Sequence, residues 1–346
     1  MKKSLLSLIL VLVMLLCACS TEPTYTKTEM RFRVPGTPAP TFATFITETW
    51  EFSEYIEISK EWREFIDTTY LEQVEFMNTT YDADWTYTPV EVYFVDLAES
   101  NLGFPIGGVF DPNTNQVYLS KNLLDKSPKN LSAYELSCIV HEGYHYLQFS
   151  NNGSVVFSLR QGKKQLGLFF SEAMTNLAAM KYLEYIGEED AAIAISKNGY
   201  ASVMLICQLL ELACPELMIS FGSGDLTSIQ KEFNCLCKAH IENPREDEFA
   251  KLLQSCDLLY ENEKESQKEN QEGSKEAVFM ALYHLLQDIE ILAAITEISN
   301  AEDFRSFINK YSTTQGELFG GEHTKFIDYF SSIHYTEPEI EPATAD

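Results

Sequence analysis

The run SCIVHEGYHYLQF, residues 137–149, sets His141 and His145 four positions apart around Glu142. On a helix, residues four apart lie one turn above each other on the same face, so both imidazoles can point at one ion. Zinc suits such a pair, because it takes imidazole nitrogen readily and at a catalytic site keeps three protein ligands and one water. Glu142 would then stand beside that water. It could accept the water's proton and pass it to a leaving amine, while the ion lowers the water's pKa and polarises a carbonyl. The chemistry these residues could do is metal-assisted hydrolysis.

Such ligands need a rigid helix and a third partner. Ser132-Ala-Tyr-Glu135 is a capping box that opens a helix, and LSCIV at 136–140 supplies it with a face to bury. Upstream, TPVEVYFVDL (88–97), IGGVF (106–110) and QVYLS (116–120) are β-branched and aromatic runs. With DPNTN (111–115) as a turn, they predict a small antiparallel β-sheet with a hairpin. A strand at the edge of a cleft could pair with an extended substrate. Residues 47–76 space Trp50, Phe52, Tyr55, Ile56, Trp62, Phe65, Ile66, Tyr70 and Leu71 at intervals near three and four, which predicts an amphipathic helix with the aromatics in the core. Beyond 130 the pattern is helical, at 168–186, 198–213, 226–242, 246–260, 275–298 and 302–311, with 261–276 a charged loop. The fold class expected is α+β, a small sheet followed by a mostly helical remainder.

Position 151, where the long metzincin signature requires a histidine, is Asn, so that signature is absent. A better third ligand is Glu172, near the start of FFSEAMTNLAAMKYLEYIG (169–187) and 27 positions after His145 (172 − 145). With it the chain resembles the gluzincin zinc peptidases in their bacterial lipoprotein form. The resemblance is tightest over about 132–184 and continues more loosely through NGYASVMLICQLLELACPELMISFGSGDLTSIQKEF. It implies a zincin-like domain whose active-site helix carries the two histidines, with Glu172 as the third Zn²⁺ ligand. It also implies that Asn176, one turn on, orients a histidine ligand through a hydrogen bond. The family more often has a carboxylate there, and often Gly where Ala173 stands. Tyr200 is a candidate hydrogen-bond donor to an oxyanion, its other reading being a packed core tyrosine. Glu184, Glu188 and Glu189 are the rival carboxylates, near a helix end.

The 346-residue chain begins with Lys2 and Lys3 before an apolar run, Leu5 to Leu16, that is short for a membrane span. The ending Leu16-Cys17-Ala18-Cys19 resembles a lipobox and implies a signal peptide over 1–18, with lipid on Cys19. Residues 19–44 are rich in Thr, Pro and Glu and read as a tether. The peptidase domain is expected over 45–336, with a sheet lobe at about 45–130, a helical lobe at about 131–336 and an acidic tail at 337–346. Losing 1–18 removes two lysines and no acids, taking the net charge from −27 to −29. So acidic a surface argues against nucleic-acid partners and leaves membrane attachment to the lipid. Six cysteines follow Cys19, permitting disulfides in 15 pairings, although Cys207 and Cys214 read equally well as small buried hydrophobes.

The expectation is an extracytoplasmic, lipid-anchored Zn²⁺ peptidase acting on a peptide or protein. Its competitor is a non-catalytic surface lipoprotein whose histidine motif is structural or vestigial.

Overall fold

Ser59 accepts a hydrogen bond from the Trp62 N–H, 3.3 Å, and so caps the first helix, α1 (Lys60–Tyr81). The computed structural model describes residues 51–99, 107–161, 164–196, 201–240 and 246–266, with 244 and 292 as isolated positions. All of these belong to the unit Ile46–Asp346. The helix expected over 47–76 therefore starts later and ends later. Ahead of the cap, Ile56–Glu57 forms β1, paired with Phe94 and Tyr93. Trp62, Ile66 and Tyr70, spaced by four, are buried, whereas Tyr55 is exposed rather than in the core, and Leu71 is exposed too.

The sheet contains β1, β2 (Glu91–Val95), β3 (Gly108–Asp111) and β4 (Gln116–Ser120) in the order β1-β2-β4-β3. It is mixed, not purely antiparallel. β3 and β4 form the expected hairpin, but β4 lies parallel to β2. Val117, Tyr118 and Leu119 are all buried, so β4 is suited to a central position, covered on both faces. β3 is left at the edge.

The capping box forms as expected at the start of α2 (Ala133–Asn152): the Glu135 N–H donates to Ser132 Oγ and the Ser132 N–H to Glu135 Oε2. The helix stops at Gly153, whose positive φ of 69° suits a glycine. A two-stranded ribbon, β5 (Leu159–Gln161) and β6 (Lys164–Leu166), then leads into α3 (Leu168–Tyr185). From Phe170 to Leu183 α3 is buried on most sides, as its nearly unbroken apolar sequence requires.

Five further helices follow among the described residues: α4 (Glu189–Ser196), α5 (Ala201–Ala213), α6 (Leu217–Ser223), α7 (Thr227–His240) and α8 (Glu248–Ser266). α8 runs through the first residues of the expected charged loop. EEDA at 188–191 is exposed over Glu188, Glu189 and Asp190 but opens α4, an element its charges conceal. The helices expected at 275–298 and 302–311, apart from Leu292, lie outside the described residues. No single described helix is long and apolar enough to cross a membrane.

One apolar core joins the sheet, α1, α2 and α3, from Trp62 through Phe94, Val117, Tyr144 and Leu177. A close helix contact lies at Gly143, where an added Cβ would lie 2.4 Å from Gln73 Oε1 and 2.5 Å from Tyr70 Cε1. Gln73 is further committed by its Nε2 donating to the Val140 carbonyl, 2.8 Å. Gly143→Ala should therefore lower stability by about 1–3 kcal/mol despite alanine's better helix propensity. Denaturant melts of the two proteins measure this, and an unchanged or raised midpoint would refute the close contact.

Candidate metal centre

α2 and α3 bring together the residues that the sequence sets 27 and 31 positions apart (172 − 145 and 172 − 141). His141 Nε2 lies 3.0 Å from His145 Nε2. Glu172 Oε2 lies 3.2 Å from the Nε2 of His145 and 3.4 Å from that of His141. Among the described residues these three form the group of histidine and carboxylate donors close enough to hold one ion. A tetrahedral ion with bonds of about 2.0–2.1 Å places its ligand atoms roughly 3.3–3.4 Å apart, close to the two separations from Glu172 and slightly longer than the one between the histidines. Two imidazoles and a carboxylate are also a donor set that zinc accepts, although the same set suits other divalent transition metals.

All three side chains are largely shielded from water. Burial disfavours the charge on Glu172, but attraction and hydrogen bonding from His145 and His141 outweigh it and hold the carboxyl well below its ordinary range. Glu172 thus stays an anion, as a ligand must. The Nδ1 atoms of both histidines are buried and have no hydrogen-bond partner among the described residues. Asn176 is buried one turn beyond Glu172 but makes no bond to either Nδ1 in this structure. Glu184, Glu188 and Glu189 are exposed. Tyr200 and Cys19 lie outside the described residues.

Glu142 packs against the edge strand. Its Oε2 accepts a hydrogen bond from the Phe110 N–H at 2.8 Å. Antiparallel strands alternate the direction of their backbone groups, and Gly107 C=O accepts from Ser120 N–H of β4. Gly108 and Phe110 therefore turn their backbone groups away from β4. The close approach needs Gly108: a Cβ there would lie 2.8 Å from Glu142 Cγ. Gly107 is equally constrained, with Cys138 Sγ 2.3 Å from where its Cβ would be. Burial pushes the Cys138 thiol up to about 12, which makes it a small packed residue rather than a nucleophile. The reading of 106–110 as a strand missed this role of its glycine pair. Adjacent glycines inside a strand are the signal, since they mark close approach of another element.

Comparison with protein-family models, curated proteins and solved structures gives no match. The site's own geometry carries the functional argument.

Desolvation raises the Glu142 carboxyl from 4.5 to about 7; repulsion from Glu172 adds to this, while His141 and the Phe110 N–H oppose it. A carboxyl raised on folding keeps its proton between those two values when the unfolded chain has lost it. Stability of the metal-free protein therefore falls as pH rises through that window. The penalty, on the order of 3 kcal/mol, is complete above the folded-state value. Glu142→Gln removes it, so metal-free variant and wild type should differ little near pH 4 and the variant should be the more stable at pH 8. Thermal melts across this range measure the gap, and a gap that stays constant with pH would rule out the titration.

Proposed function

We propose that the chain is a zinc-dependent peptidase of gluzincin type, with His141, His145 and Glu172 as ligands and Glu142 as general base and then acid. The observation that carries the reading is the convergence of Glu172 Oε2 on both Nε2 atoms, within 3.2–3.4 Å, beside a buried Glu142. Zinc held by His141, His145 and Glu172 would lower the pKa of a water and polarise the carbonyl to be attacked. Glu142 takes that water's proton on Oε1, its Oε2 being held by Phe110, and delivers it to the departing amine.

The substrate is an extended peptide. Support comes from β3, an edge strand of the sheet, whose Gly108 backbone groups and Phe110 C=O face away from β4, the Phe110 N–H being taken by Glu142. Cys19 carries the lipid, and the acidic domain acts outside the cytoplasm at the membrane surface.

The test uses the purified chain, zinc and a mixture of unstructured peptides, with products identified by mass spectrometry. Wild type should hold one zinc and cleave. Glu142→Gln should keep the zinc and lose about 100-fold or more of the cleavage rate. Glu172→Ala should lower zinc affinity about tenfold or more. Cleavage at the wild-type rate by Glu142→Gln would remove Glu142 as the base. Stoichiometric zinc with no cleavage of any peptide would favour the non-catalytic lipoprotein instead.

A further inference from the structure

The helix that presents Glu172 does not cap itself. Its N-cap is Gly167, at φ 83° and ψ 35°, which has no side chain to offer. The first N–H groups of a helix lack partners within it and need acceptors from elsewhere. Here two of these N–H groups find their acceptors on one carboxylate of α8. Asp257 Oδ2 accepts from the Gly167 N–H at 2.9 Å, and Oδ1 accepts from the Phe169 N–H at 3.2 Å. Its negative charge also meets the positive end of the helix dipole.

Two neighbours on α8 reinforce this cap. Leu253, one turn before Asp257, occupies the space a side chain at 167 would need, 2.9 Å from an added Cβ. Phe249, a further turn back, packs edge-on against Phe170, with ring centroids 6.3 Å apart. Positions 249, 253 and 257 share one face of α8 and together grip residues 167–170. The first bond within α3, Ser171 N–H to Gly167 C=O at 2.9 Å, starts from this clamped glycine. Glu172 is the next residue, so its direction is set in the turn that α8 holds.

We propose that Asp257 is a positioning residue for the metal centre: by capping α3 at Gly167 and Phe169, 90 and 88 residues away, it aims Glu172 at His141 and His145. The proposal rests on the metal-centre reading and goes beyond it, because Asp257 touches none of the three ligands through any contact described above.

Zinc affinity of the full chain, measured by competition with a chromogenic chelator, tests this in wild type, Asp257→Ala, Asp257→Asn, Glu172→Ala and the Asp257→Ala/Glu172→Ala double variant. Circular dichroism of each metal-free protein reports whether it is folded. Asp257→Ala should bind zinc about tenfold more weakly, and Asp257→Asn, which keeps one acceptor oxygen, should lose less. With Glu172 already removed, loss of Asp257 should change affinity no further. Equal affinity in wild type and a folded Asp257 variant overturns the proposal while leaving the metal centre standing. The same fold-loss with and without Glu172 also overturns it, since Asp257 would then act by loosening the whole domain. Should Asp257→Ala fail to fold, Asp257→Asn and its double variant with Glu172→Ala carry the same comparison. A wild-type chain that binds no zinc removes the metal centre itself, and the proposal with it.

Discussion

Three donor atoms from two helices come within 3.4 Å of one another, and the packing around α2 and α3 holds them there. Two imidazole nitrogens 3.0 Å apart, with a carboxylate oxygen 3.2 and 3.4 Å away, tolerate little movement of α2 against α3. Burial sharpens the constraint, because a carboxylate out of water stays charged only beside partners that favour its charge. Glu172 has two such partners, and its ionisation, its position and the orientation of the histidines therefore stand or fall together.

Each helix is fixed in its own way. α2 has its own cap in Ser132 and Glu135, and it sits against α1 at Gly143, where there is no room for another atom. α3 borrows its cap from α8 and its neighbours from most sides. The ribbon β5–β6 joins the two helices, and Ser171 Oγ accepts from the Phe157 N–H at 2.8 Å beside it. The sheet enters through its edge strand, where two glycines let the backbone come against Cys138 and Glu142. Glu142 is thus held by β3 and by its own helix, while its burial raises its proton affinity.

Much of this was legible along the chain. The capping box, the hairpin and the helical spacing of His141 and His145 are local features, decided by residues within one or two turns of each other. Strand order was less legible, because placing β4 between β2 and β3 depends on which strand is covered on both faces. β1 was hidden inside an apparently helical run, since the aromatic spacing of 47–76 continues across Ser59 and only the pairing with β2 breaks it. Asn176 shows the limit of spacing as a guide. It occupies the expected position on α3 and is buried, yet the Nδ1 atoms it was expected to serve remain unbonded to it.

The sequence by itself determined the types of the candidate ligands, the helical register of the two histidines and the capped helix that bears them, because all of these follow from short-range geometry. The tertiary structure brings Glu172, the carboxylate chosen along the chain, to both histidines, and it alone decided that Asp257 and Gly108 stand behind Glu172 and Glu142. Those relations join residues 27 to 90 positions apart. They depend on how helices and strands pack in three dimensions, and no local periodicity records which distant side chain fills a given gap.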